Sequence, residues 1–168
     1  MNPGDDEDEL DETADRCDAM DRALAVHEAG HTVVARALGA DVLFVEIDLA
    51  TGNGKSRSSQ FDGSPIKNLA VCVAGCRAEH LLDAHSSRRT KVDDRRLMRE
   101  ILLRFPDAER RLARAEGYRL ADATLRANAV YVRKVADGLL ARRWISDSAT
   151  VRIDGVELAA LLAFVHSI

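Results

Sequence analysis

Residues Met20–Leu38 read MDRALAVHEAGHTVVARAL, followed at once by Gly39. Good helix formers dominate this stretch. Leu24, Val34, Ala37 and Leu38 can share one buried stripe, and Gly39 supplies a C-terminal stop. The reading is a first core helix. Within it, His27 and His31 are four residues apart, so both imidazoles leave the same face one turn from each other and can bind a single tetrahedral ion. Glu28 is turned about 100° around the helix from His27, off the metal but within reach of a water held on it. That placement suits a general base.

With 5 histidines in 168 residues, a His-Glu-x-x-His pattern arises by chance in about one such chain in a hundred. The competing interpretation is that both histidines only pack or cap the core, and placement on a strong helix counts against it. Zinc on such a site lowers the pKa of a bound water to about 7 and stabilises a developing oxyanion, which favours amide hydrolysis. A catalytic zinc needs a third protein ligand and an open fourth position. By chemistry alone the candidates are Glu79, His80, His85, Asp93, Asp94, Cys72 and Cys76, and spacing does not rank them.

Outward from this helix, Val42–Leu49 alternates Val45, Ile47 and Leu49 with Phe44, Glu46 and Asp48, the period of a half-buried strand. Residues 50–64 concentrate Gly, Ser and Asn, giving a turn and at most a short edge strand near Lys55–Ser59. Ser64-Pro65 places an N-cap before a proline at the first helical position of a second, largely buried helix carrying Val71, Val73, Leu81 and Leu82. A third helix is expected from Asp93 to Phe105, stopped by Pro106, with Leu97, Ile101 and Leu102 inward. Residues 107–143 read as one long helix or two, Gly117 being the weakest point, with Leu112, Leu120, Leu125, Val132 and Leu139 available for packing. Trp144–Ile153 looks extended, and Asp154-Gly155 opens a last short helix through Val165.

The whole chain bounds these readings. Its 168 residues suit one domain. The run Asp5-Asp6-Glu7-Asp8-Glu9 repels itself and lacks apolar residues, so residues 1–19 read as a disordered acidic tail and 20–168 as the metallopeptidase-like domain. Net charge is −4 and the arginines alternate with acids, which argues against a nucleic-acid partner. The apolar run Leu158–Val165 is far short of the roughly 20 residues a membrane span needs. The acidic first residues do not read as a secretory signal, so the expected location is cytoplasmic. Three cysteines, Cys17, Cys72 and Cys76, are then expected to be reduced. Cys72 and Cys76, four apart on an apolar helix, read as buried packing rather than half of another metal site. Arg88-Arg89 and Arg95-Arg96 bracket Asp94 and could bind an acidic substrate, but a solvated helix face is the favoured reading.

Val26-His27-Glu28-Ala29-Gly30-His31-Thr32-Val33-Val34-Ala35, with Leu38-Gly39-Ala40-Asp41 after it, closely resembles the peptidase domain of the FtsH family of ATP-dependent zinc proteases. Val73–Leu81 resembles that family's second core helix, with Gly75-Cys76 where the family has a Gly-Gly pair. Val92-Asp93-Asp94 with Leu97 resembles the segment supplying its aspartate ligand, and Ile153–Leu158 the start of its closing helix. The resemblance covers about residues 20–165 in the same order. It implies a mainly α fold, an array of about six helices with a small β-ribbon. It also implies Zn2+ as cofactor, His27 and His31 as ligands, Glu28 as base and Asp94 as third ligand, Asp93 being the one-residue alternative. Glu79 is then expected to orient or pack. Lys55–Ser59 resembles in position the family's edge strand beside the active site, where a substrate adds as an extended strand.

With no ATPase motor in the sequence, the expected substrates are peptides or unstructured proteins, or folded ones delivered by a separate ATPase or adaptor. The family's six-fold rings make a homo-oligomer compatible with the resemblance. The rival expectation is an inactive metallopeptidase-fold domain that serves as a protein-interaction or regulatory module. Retention of Glu28 argues against it, because a structural site gains nothing from a carboxylate aimed at water.

Overall fold

Three helices pack around one another and a small sheet leans against them, in a computed structural model that describes residues 5–86, 90–143 and 148–167. The elements run α1 (Asp5–Ala37), β1 (Val42–Asp48), β2 (Asn53–Ser58), α2 (Pro65–Leu81), α3 (Thr90–Leu102), α4 (Asp107–Arg143), β3 (Thr150–Asp154) and α5 (Gly155–Leu161). The architecture is mainly helical with a small antiparallel sheet, as the sequence leads one to expect. Five helices are present among the described residues, and α4 is kinked at Asn128. No described helix is long and apolar enough to cross a membrane.

The helix α1 begins at Asp5 rather than Met20, so the helical backbone runs unbroken from the acidic segment into the core helix. At the other end Gly39 takes φ +96°, and the amide of Ala40 donates to the Ala35 carbonyl at 2.9 Å. A left-handed turn of this kind closes a helix with little strain only at glycine.

The sheet order is β2-β1-β3, all antiparallel. Val45 and Ile47 face inward beside Val151 and Ile153 of β3, and all four are buried. On the other side Val45 is opposite Ser56 and Ile47 is opposite Gly54, so β2 brings only small residues to the inner face. Among the described residues β2 is thereby an edge strand with one side unpaired. The expected edge strand at Lys55–Ser59 thus starts two residues earlier, and β3 is the extended segment expected before Ile153. Residues 144–147 of that expectation lie outside the described residues.

Close helix packing depends on small residues. A Cβ on Gly30 would sit 2.6 Å from Ala78 Cβ and 2.8 Å from the Ala74 carbonyl oxygen, so α1 and α2 meet backbone to backbone. A Cβ on Gly117 would sit 2.8 Å from Leu69 Cβ. Gly117 therefore serves the α2–α4 contact and is not the weak point expected of it. The kink falls at Asn128, with φ −124° and ψ 17°. Asn128 is fully buried; its amide nitrogen donates to the Thr124 and His166 carbonyls, and its Oδ1 accepts the His166 amide. Arg77 of α2 donates to both carboxylate oxygens of Asp122 on α4, at 2.6 and 2.9 Å.

Several inward-facing assignments differ. Ser64 and Asp154 stand at helix N-caps but make no side-chain cap bond, and Asp154 instead accepts from Arg152 at 2.7 Å. Leu81, Leu97 and Leu112 are exposed. On α3 the inward residues are Ile101 and, in part, Met98 and Leu102. On α4 Leu125, Val132 and Leu139 are buried as expected. α3 stops at Leu102, short of Phe105, and α5 at Leu161, short of Val165.

Candidate metal centre

Three elements meet behind β2: the middle of α1, the middle of α2 and the first turns of α3. His27, Glu28 and His31 come from α1, Gly75, Cys76 and Glu79 from α2, and Asp94 from α3. His27 Nε2 lies 3.1 Å from His31 Nε2 and 3.0 Å from Asp94 Oδ2, and His31 Nε2 lies 3.3 Å from the same oxygen. Ligands held at zinc distances on a tetrahedral ion are about 3.3 Å apart. The three atoms thus enclose the space one small cation occupies.

The outer nitrogens explain why the inner ones converge. His27 Nδ1 is 2.5 Å from Glu79 Oε1, and His31 Nδ1 is 2.7 Å from the Val71 carbonyl oxygen. A carbonyl and an ionised carboxylate only accept, so both Nδ1 atoms carry a hydrogen and both Nε2 atoms are turned toward Asp94. Glu79 is itself held in place. Ser86 Oγ donates to its Oε1 at 2.7 Å, while the Ser86 amide and Lys91 Nζ reach Oε2 at 2.9 and 2.8 Å. Burial opposes ionisation of Glu79, but the bonds from His27, Lys91 and Ser86 outweigh it and bring its carboxyl down to about 2.

Carboxylates and imidazoles shift one another's titration across the cluster. Burial disfavours a charged His31, yet the Asp94 carboxylate and Glu28 override it and push the imidazole up to about 9. His27 is raised in the same way, its burial outweighed by Asp94 and Glu79. Asp94 is held below the usual carboxylate range because the two histidines overcome its desolvation. Burial raises Glu28 above the ordinary glutamate value. Buried carboxylates here draw positive charge onto the imidazoles, and a bound cation satisfies the same demand.

Two glycines keep the space clear. A Cβ on Gly75 would sit 2.5 Å from both His27 Nε2 and His31 Nε2, and one on Gly54 would sit 2.5 Å from Glu28 Oε1. Cys76 Sγ joins the ligand atoms of His27 and Asp94 in a group lying within 4.8 Å of one another, a group that could hold a metal ion. The closer approach of His31 makes it part of the same cluster. A cleft of about 680 Å³ opens onto this point. Glu28, His31 and Asp94 lie at its base, β2 from Asn53 to Ser58 forms one wall, and Asp93, Leu97 and Ile101 of α3 line the other.

The remaining candidates fall away from the centre. Asp93 is exposed and pairs with Arg96 at 3.1 Å, so of the two adjacent aspartates it is Asp94 that meets the histidines. His80 is exposed, and His85 is exposed beside Asp83. Cys72 is buried, and its thiol donates to the Asp94 backbone carbonyl at 3.0 Å. Desolvation pushes the thiols of Cys72 and Cys76 up to about 12 and about 11. Arg95 and Arg96 are exposed, Arg96 also lining the cleft, and Arg88 and Arg89 are outside the described residues. The parts played by Ser86, Lys91, Gly54 and Gly75 had no signal in spacing or composition. No protein-family model matches the chain, and no curated protein matches it.

Proposed function

We propose that the chain is a zinc-dependent metalloendopeptidase that hydrolyses peptide bonds in peptides or unfolded proteins. The observation that carries this reading is the meeting of His27 Nε2, His31 Nε2 and Asp94 Oδ2 within 3.3 Å, next to Glu28 at the base of an open cleft. Two neutral imidazoles and one carboxylate are a zinc donor set that leaves the ion a net positive charge and an open position. When bound, zinc supplies Lewis acidity toward a carbonyl oxygen and acidifies water at neutral pH.

The protein's own groups do the rest. Glu28 is buried, and burial raises its proton affinity, so it is suited to take a proton from attacking water and hand it to the leaving amine. Glu79 and the Val71 carbonyl lock the tautomers of His27 and His31. The unpaired edge of β2 forms a wall of the cleft, so an extended substrate can add to it as a further strand. The resemblance of residues 26–41 and 73–81 to the FtsH peptidase domain supports the same reading, with Asp94 in the aspartate position.

Cleavage of casein, an unstructured protein, tests it. The zinc-loaded chain cuts, and Glu28→Gln retains zinc but loses about 10²-fold or more of the rate. Zinc-loaded protein that leaves casein and unstructured peptides intact at high enzyme concentration overturns the assignment in favour of an interaction module.

A further inference from the structure

Cys76 follows Gly75 on α2 and lies outside the cleft, whose lining includes Glu28, His31 and Asp94 but not Cys76. Its sulfur is nonetheless within 4.8 Å of the ligand atoms of His27 and Asp94. On a tetrahedral zinc, a thiolate sulfur at about 2.3 Å stands about 3.5 Å from its fellow ligands. A side-chain adjustment on the order of an ångström therefore brings Cys76 into the shell. Cys72 has no such freedom, because its thiol is committed to the Asp94 carbonyl.

Ligand count separates the two kinds of zinc site. Three protein ligands leave a position open for chemistry, whereas four close the shell. We propose that Cys76 is a fourth protein ligand of this centre, so that the metallopeptidase rests in a closed, latent form and opens when the thiolate is displaced. The proposal rests on the metallopeptidase reading of the same residues. On coordination the thiol gives its proton to solvent and its sulfur lone pair to the ion, and displacement reverses both. A hydrated ion on the cleft side and a thiolate-bound ion on the α2 side are then alternative occupants of one cluster.

Cobalt(II) is the probe, because a thiolate on cobalt gives an intense near-ultraviolet charge-transfer band that imidazole and carboxylate do not. The unsubstituted chain binds one equivalent of cobalt with this band, and Cys72→Ala keeps it. Cys76→Ala binds cobalt through His27, His31 and Asp94 without the band, and its zinc form cuts casein faster than the unsubstituted chain. As a second readout needing no substitution, zinc slows alkylation of Cys76 by iodoacetamide, located by peptide mass.

Cobalt bound by the unsubstituted chain without the band, or a band that survives Cys76→Ala, overturns the role of Cys76 and leaves the centre itself intact. Zinc that leaves the alkylation of Cys76 unchanged overturns that role too. Failure to bind cobalt or zinc at all overturns the centre as well.

Discussion

His27 Nδ1 lies 2.5 Å from Glu79 Oε1, and both side chains are almost fully buried. A carboxylate fixed by three contacts from Ser86 and Lys91 thus sets the tautomer and the aim of the imidazole from its far side. Removing such an outer partner typically weakens metal binding by about 10–100-fold. Glu79→Ala is expected to lose zinc affinity in that range, while Glu79→Gln, which retains an acceptor oxygen, loses less. Competition with a chromogenic chelator measures both. Equal affinity in all three proteins contradicts the assignment.

Gly54 has a comparable relation to Glu28. The methyl of Gly54→Ala would overlap the end of the Glu28 side chain, with Cγ at 2.4 Å and Oε1 at 2.5 Å, so the flexible carboxylate moves and the fold does not. Displacement by about an ångström costs about 10²-fold in rate. The variant is expected to bind zinc normally and to cut casein about 10²-fold more slowly. Unimpaired cutting shows that Glu28 need not sit where it does.

In the metal-free chain, stability has a pH window set by His31. Its ordinary value of 6.5 is raised to about 9 on folding. A raised value means the stabilisation is fully present below 6.5 and is lost as pH rises through about 9. Chelator-treated protein is therefore expected to melt progressively lower across that interval. With zinc on Nε2 no proton is there to lose, and the melting temperature holds. Parallel melting curves with and without chelator, at several pH values, check this; a flat profile for the metal-free chain refutes it.

Asn128 joins the α4 kink to the chain near His166 through three hydrogen bonds. Asn128→Ala removes three hydrogen bonds made by a fully buried side chain, at a total cost of about 1–3 kcal/mol. For a chain of this size that lowers Tm by about 2–4 °C per kcal/mol. Calorimetry of the zinc-loaded variant measures it, with zinc content expected unchanged. A Tm equal to the parent's means the kink does not depend on this side chain.

How far the sequence could be read follows from the range of each interaction. His27, Glu28 and His31 were legible because a helix sets their relative placement locally. Asp94 was not, since it reaches the histidines from α3, 67 residues after His27; bare spacing left seven candidates, and a resemblance to a known family chose among them. The strands β1 and β2 and the helix start at Pro65 were legible from alternation and from turn residues. Leu97 and Leu112 were misplaced because periodicity shows that a face is apolar but not whether an element lies opposite it. Gly117 reads as the weakest point of residues 107–143 because nothing local shows that it lies against Leu69. Nothing local distinguishes Cys76, grouped with His27 and Asp94, from Cys72, which bonds the Asp94 backbone, because only the packing of α2 on α1 and α3 separates them.

The most direct test is elemental analysis of zinc per chain after equilibration with zinc and dialysis, for the unsubstituted protein, Glu28→Gln, His27→Ala and Asp94→Ala. A centre built from His27, His31 and Asp94 predicts about one zinc per chain in the first two and a large loss in the last two. No zinc in the unsubstituted protein, or undiminished zinc in Asp94→Ala, contradicts it.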